Sequence, residues 1–269
     1  MNNNSPGDSR VDHSGFRKEE YTVDNTTTVV YRAGSGTPLV FLHGGGTWHG
    51  LEFAKAWTEH FDVILPYHPG FGQSHDNPCI GSVHDYLLHY RELFDLMGLT
   101  RFNLVGFSFG GRLAAEYAIQ FTEQVAALVL VAPAGLDVAE FPQPDFTVIP
   151  PEEIPSYLVH DIHQLLPYLP ASPDDDEFNN MRMREGGSVG KMLRNGTMVN
   201  PKLRNWLHRL KMPTLLLWGN QDRIVPPGQA PHWQALIPDV RLATFENAGH
   251  LVLDESAAAQ QAVIDFLNH

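Results

Sequence analysis

The run Phe102-Asn103-Leu104-Val105-Gly106-Phe107-Ser108-Phe109-Gly110-Gly111 leaves this chain few architectures to choose from. An apolar stretch enters Gly-x-Ser-x-Gly and continues into Arg112–Ile119, which is rich in helix formers and small residues. The stretch is apolar without alternation, as in a strand of a parallel sheet buried on both faces. Small residues after the turn let a helix lie close against that sheet. A serine at such a sharp strand-to-helix turn has its hydroxyl pushed out above the sheet's carboxyl edge, the arrangement called a nucleophile elbow. The pentapeptide alone is short enough to fall in any loop, so the flanking strand and helix carry the reading.

A serine hydroxyl is a poor nucleophile at neutral pH and needs a base within hydrogen-bond reach, itself oriented by a third group. Two later strand ends provide them. Thr214-Leu215-Leu216-Leu217-Trp218 runs into Gly219-Asn220-Gln221-Asp222, placing Asp222 just past a strand end, where doubly wound sheets hold their ligands. Asp222 reads as the carboxylate that fixes the base's tautomer. As a structural residue it would only cap its turn. Arg241-Leu242-Ala243-Thr244-Phe245 leads to Asn247-Ala248-Gly249-His250. With fourteen histidines in the chain a lone histidine means little. His250 stands out by its position and by the order serine, aspartate, histidine. Asp137, after the strand ending near Ala132, is the alternative acid.

Leu39-Val40-Phe41-Leu42 runs into His43-Gly44-Gly45-Gly46. Backbone N–H groups there could face a developing oxyanion, with Gly45 as one donor and the residue after the serine, Phe109, as the other. Gly46 is Gly45's neighbour, and His43 reads as a brace for the loop. The glycine run lacks the Lys-Ser/Thr of a phosphate loop, and no Gly-x-Gly-x-x-Gly follows a strand.

Taken together, His43-Gly44-Gly45-Gly46, Gly106-Phe107-Ser108-Phe109-Gly110, Trp218-Gly219-Asn220-Gln221-Asp222 and Asn247-Ala248-Gly249-His250 resemble the motifs of a capped α/β-hydrolase-fold enzyme, from about residue 21 to 267. His68-Pro69-Gly70-Phe71-Gly72-Gln73-Ser74 is similar to a further loop of that family, which usually begins with Asp. The resemblance implies an α/β fold: a mostly parallel twisted sheet with helices on both faces and a helical cap insertion. It also implies a serine hydrolase with catalytic Ser108, Asp222 and His250 and an oxyanion hole at Gly45 and Phe109. The family includes carboxylesterases, lactonases, carbon–carbon bond hydrolases, thioesterases, cofactor-free haloperoxidases and lyases, so the fold does not choose the substrate. Its dehalogenases and epoxide hydrolases use an aspartate nucleophile, which Ser108 argues against.

Net charge is −13 and the pI about 5.4, with no basic cluster, which argues against nucleic acid and anionic membranes as partners. No apolar run approaches about 18 residues, so no membrane span is expected. Cys79 is the single cysteine, so no internal disulfide can form. The polar start Met1–Ser9 has no apolar core of a signal peptide. These features point to a cytoplasmic enzyme acting on a small molecule, with no metal or organic cofactor implied. A homo-oligomer remains open. The sequon Asn195-Gly196-Thr197 means little without secretion.

Residues 1–16 are polar and read as a disordered arm. A β-hairpin is expected around Asp24-Asn25, then strands alternating with helices at about 83–98, 111–121, 228–236 and 254–267. Alternation of this kind gives a parallel sheet covered by helices. The expected core is 17–136 with 212–269, and 137–211 is the cap. The cap begins proline-dense, from Pro142 to Pro173, passes the acidic run Asp174-Asp175-Asp176-Glu177, and continues with Phe178, Met181, Met183, Met192, Leu193 and Met198. Met-rich apolar surface adapts its shape and suits a permissive pocket, although each methionine could equally be packing. His160-Asp161-x-His163 offers too few groups for a metal site. Gly44, Gly46, Trp48, Met192 and Leu251 are the candidate pocket residues, with Arg112, His49 and Trp218 also placed nearby.

The expected substrate is an ester or lactone of a mid-sized apolar acid. One alternative is a carbon–carbon bond hydrolase of a vinylogous diketone, which 193–203 resembles. That branch usually has Trp after the catalytic histidine, where Leu251 stands here. The alternative from another class is a ligand receptor of the same fold that turns over slowly.

Overall fold

Eight strands form one sheet in this computed structural model, which describes residues 11–170, 172, 174–194 and 196–268. In chain order they are β1 Arg17–Val23, β2 Thr26–Gly34, β3 Pro38–Leu42, β4 Asp62–Pro66, β5 Phe102–Phe107, β6 Val125–Val131, β7 Thr214–Gly219 and β8 Val240–Phe245. Their order across the sheet is β1-β2-β4-β3-β5-β6-β7-β8. The hairpin β1–β2 and the pair β2–β4 are antiparallel, and every later pairing is parallel. Asp24 and Asn25 both take positive φ, 47° and 57°, which makes the tight hairpin turn expected of an Asp-Asn pair.

The central strands β5, β6 and β7 are almost wholly buried apolar residues, so β5 can only lie in the interior of a covered sheet. Helices α1 Val83–Leu96 and α2 Phe109–Gln120 follow β4 and β5. Ser82 caps α1 by accepting the Asp85 N–H, and α2 packs on β5, β6 and β3. Between β6 and β7 lie α3 Ile154–Leu158, α4 Asp176–Gly190 and several single turns. Then come α5 Ala230–Leu236, α6 Val252–Glu255 and α7 Ala257–Leu267.

Three expectations change. The helix expected over 254–267 is two helices, because Ser256 is extended (φ −137°, ψ 106°) and its Oγ accepts the Ala259 N–H, starting α7 afresh. A 3₁₀ helix at Glu52–Glu59, absent from the sequence reading, closes the loop before β4. The first ten residues of the expected arm lie outside the described residues, as do Pro173 and Asn195 of the sequon. Residues 11–16, by contrast, are held on the core. Val11 is buried, His13 stacks on Tyr31 at 3.7 Å between ring centroids and meets the Tyr67 hydroxyl at 2.8 Å, and Lys55 pairs with Asp12. Among the described residues, no helix is long and apolar enough to cross a membrane.

Candidate active site

Ser108 sits between β5 and α2 with φ 54° and ψ −115°, a strained conformation for a non-glycine residue. Its backbone is fixed from both sides: its N–H donates to Val131 O, and its carbonyl accepts from the Arg112 and Ala134 N–H groups. The flanking glycines are there for close approach. A Cβ on Gly106 would strike the Gly110 carbonyl and the Ala114 methyl, and one on Gly110 would strike the Leu42 carbonyl oxygen.

The Ser108 Oγ lies 2.8 Å from His250 Nε2, and His250 Nδ1 lies 2.8 Å from Asp222 Oδ2. A carboxylate can only accept, so Nδ1 carries the proton and Nε2 is left to accept the serine proton. Asp222 is itself held, because its Oδ1 accepts the Ile224 and Val225 N–H groups, both at 2.8 Å. Asp222 and His250 are buried. Asp137 is exposed, and Asp222 occupies the acid position beside the histidine. The Phe107 ring leans on the His250 imidazole at 4.8 Å between centroids.

The loop after β3 approaches from the other side. His43 donates from Nδ1 to the Gly44 carbonyl (2.8 Å) and accepts the His68 N–H on Nε2 (3.0 Å). His68 donates from Nε2 to the His43 carbonyl (2.8 Å) and accepts from the Tyr90 hydroxyl on Nδ1. Burial holds both imidazoles neutral, with His43 well below the ordinary histidine range and His68 brought down to about 3. His43 is thus a brace, and His68, at the position where Asp is usual, completes that brace as a neutral donor and acceptor.

A cavity of about 280 Å³ opens over Ser108, small on the scale of ligand sites. Of the expected pocket residues Gly46, Trp48 and Leu251 line it, together with Gly45, Phe109, His250 and His49. Phe109 opens α2, so its N–H has no acceptor within the helix. Gly44 does not line the cavity. It is packed under Phe107, where a Cβ would come 2.9 Å from Cε1. Met192 does not line it either: it is buried in the turn after α4, and Val189, Leu193 and Met198 take the wall. Trp218 lies in the core, where its indole N–H donates to Val225 O (2.9 Å) and steadies the Asp222 turn. Arg112 ties α2 to the segment between β6 and β7 through the Met198 carbonyl (2.9 Å).

Two charged residues of α4, unremarked in the sequence, also line the cavity. Glu185 is buried and accepts the N–H groups of Thr47 and Gly72, both at 2.9 Å, and the Thr47 hydroxyl. It thereby fastens α4 to the loops after β3 and β4. The Arg182 guanidinium lies 5.8 Å over the Trp48 ring and 5.7 Å over Phe178. Burial lowers its pKa, against the pull of Glu185. Among the described residues it forms no ion pair or hydrogen bond. Helical periodicity could have put both side chains on one face of α4, but nothing local said that this face meets the cavity. Among the described residues no group of three or more His, Cys, Asp or Glu could hold a metal ion.

With this geometry in hand, the chain can be set beside known proteins. The family model described as "alpha/beta hydrolase fold" matches residues 37–168 and 195–257, and the chain belongs to that family. It is 28% identical over 261 residues to an uncharacterised protein of Mycobacterium tuberculosis, covering 84% of this chain and 73% of that one. It is 27% identical over 275 residues to a 2-hydroxy-6-oxononadienedioate/2-hydroxy-6-oxononatrienedioate hydrolase of Comamonas testosteroni, covering 87% and 89%. Among solved structures, a bacterial membrane phospholipase A superposes with a TM-score of 0.80 at 24% identity, covering 96% of this chain and 88% of that one. A meta-cleavage product hydrolase superposes with 0.77 at 19% identity, covering 93% and 97%. At those identities the superpositions speak to the fold alone. The family supports an enzyme; a naproxen esterase shares its fold at 20% identity, and the Comamonas relative is a hydrolase by name.

Proposed function

We propose that this protein is a serine hydrolase acting on a carboxylic ester or lactone, with Ser108 as nucleophile, His250 as general base and Asp222 as its orienting acid. The observation that carries the reading is the continuous chain Ser108 Oγ, His250 Nε2, His250 Nδ1, Asp222 Oδ2, with 2.8 Å at both contacts. His250 Nε2 takes the Ser108 proton as Oγ attacks the substrate carbonyl. The N–H groups of Phe109 and Gly45 hold the oxyanion. His250 then returns the proton to the departing alkoxide, leaving an acyl group on Ser108. A water deprotonated by His250 attacks that acyl group, and the acid leaves as Ser108 recovers its proton.

Residues 137–211 form the cap in this reading, and Phe146, Leu158, Val189, Leu193 and Met198 from it supply an apolar wall for the acyl chain. Fluorophosphonate labelling of the wild type and Ser108→Ala, with turnover of p-nitrophenyl esters of graded acyl length, tests it. Labelling lost in the variant and a rate that peaks at intermediate length support the esterase. A folded wild type that neither labels nor turns over excludes it and favours the receptor.

Arg182 favours a second reading, hydrolysis of a carbon–carbon bond in a substrate bearing a carboxylate, as the name of the Comamonas relative describes for that protein. A guanidinium at the cavity wall that forms no ion pair or hydrogen bond among the described residues is suited to an anionic substrate group. Arg182→Gln separates the two. Loss of a charge-assisted bond of roughly 1.5–3 kcal/mol raises KM about tenfold or more for a carboxylate-bearing substrate. A neutral ester keeps its KM.

A further inference from the structure

Glu255, on α6 and five residues after His250, uses one carboxylate to join three stretches of chain. Its Oε2 accepts the N–H of Gly249, the residue before His250, at 2.6 Å. Its Oε1 accepts the His160 and Asp161 N–H groups at 2.8 and 2.9 Å, from the segment that follows α3. The peptide after His250 is held by that same segment, since the Leu251 N–H donates to Leu158 O at 2.8 Å. Gly249 packs so closely there that a Cβ would come 2.7 Å from the Val159 carbonyl carbon. His250 is therefore not placed by β8 alone. Leu251 is fastened to residues 158–161 directly and Gly249 through Glu255, and Ile154 and Leu158 of the adjoining helix line the cavity.

We propose that Glu255 is a positioning residue that locks the His250 loop to the segment over the pocket, so that the Ser108–His250 hydrogen bond forms only while residues 154–161 are seated. The inference rests on His250 being the base. Movement of 154–161 away from the core withdraws two donors from Glu255 and the acceptor from Leu251, and leaves His250 hinged at Gly249. A base displaced by about 1 Å loses its reaction geometry, at a cost on the order of 100-fold in rate. Seating over a bound acyl chain would then complete the site, and an open pocket would stay inert toward water and small esters.

The test compares Glu255→Gln and Glu255→Ala with the wild type on a p-nitrophenyl ester. Rates are normalised to the fraction of sites titrated by fluorophosphonate, so that unfolded protein does not count. Glu255→Gln replaces one acceptor oxygen with an NH2 that faces a backbone N–H, and is the milder change. The expected result is a 10- to 100-fold fall in kcat with KM within about threefold. Amide hydrogen exchange should accelerate together in peptides covering 156–162 and 248–252, and the low-field proton NMR signal of the His250–Asp222 bond should weaken. An unchanged kcat per titrated site, or faster exchange in only one of the two peptides, overturns the proposal. His250→Ala is the separate control: if it retains full activity, the reading of His250 as base fails, whatever Glu255 does.

Discussion

Asp222 is held in place by its own backbone as much as by its partner. One oxygen takes two N–H groups of the turn it sits in, and this leaves the other aimed at His250 Nδ1. An asparagine at 222 would keep the size and the turn but present an NH2 or a neutral oxygen to the imidazole, allowing the tautomer with the proton on Nε2. That tautomer cannot accept the serine proton. Asp222→Asn is expected to lower kcat about 10⁴-fold on an ester substrate with the fold unchanged by circular dichroism. Asp137→Asn, at an exposed position, should stay within about twofold. The reverse pattern in steady-state kinetics would move the acid to Asp137. At this scale the sequence was highly legible. Ser108, Asp222 and His250 each follow a strand end, and a parallel sheet gathers its carboxyl ends at one edge. Gly44 and Met192 were misplaced because lining a cavity depends on which way a short segment turns. Gly44 is turned under Phe107, and Met192 into the packing beneath α4.

Among the elements, strands β3 to β7 were readable because burial on both faces imposes a continuous apolar run. The edge strand β8 is less buried, and it was read as a strand-like stretch leading to Gly249-His250; its parallel pairing with β7 is seen only in the structure. The segment between β6 and β7 was legible only as an interruption. Its helices are short or broken, and their positions are fixed by contacts distant in sequence. Glu185 is the clearest case, since its partners Thr47 and Gly72 stand more than a hundred residues away. The break at Ser256 was missed for the opposite reason: the apolar periodicity runs across it, and the serine is read as a cap only once its backbone is seen extended. Two stability measurements follow. Ser256→Ala removes an N-cap and should cost about 1 kcal/mol in urea unfolding. Glu185→Gln leaves a backbone donor of the β3 or β4 loop without its acceptor in a buried place, and should cost about 1–3 kcal/mol. It should also raise KM for esters, because α4 forms one wall of the cavity. A Glu185→Gln protein with unchanged stability would mean that Thr47 and Gly72 find other partners.

On the scale of the whole molecule, the pair His43 and His68 ties the loops after β3 and β4 to acid stability. Both are buried beneath the loops after β3 and β4, with ring centroids 3.6 Å apart and planes tilted by 36°. Burial holds His68 down to about 3 and His43 well below its ordinary value, so both stay neutral in the folded protein at pH 5. In the unfolded chain each titrates near 6.5, so below that pH the unfolded state binds two more protons than the folded one. The folded-state pKa is depressed, so the contribution of each neutral histidine is complete above pH 6.5 and is lost as pH falls toward the folded value. The expected slope is about 1.4 kcal/mol per pH unit for each histidine, or about 2.7 for the pair, between pH 6 and 4.5. Urea unfolding at half-unit steps of pH measures it. His68→Asn should reduce the slope by about half while costing stability at pH 7.5, where the wild-type imidazole is already neutral and bonded. If the variant keeps the wild-type slope, His68 is protonated in the folded protein at pH 5 and the neutral brace beneath the oxyanion loop is the wrong description. If the slope halves, unfolding in acid is set in part by the histidines beneath Gly44 and Gly45.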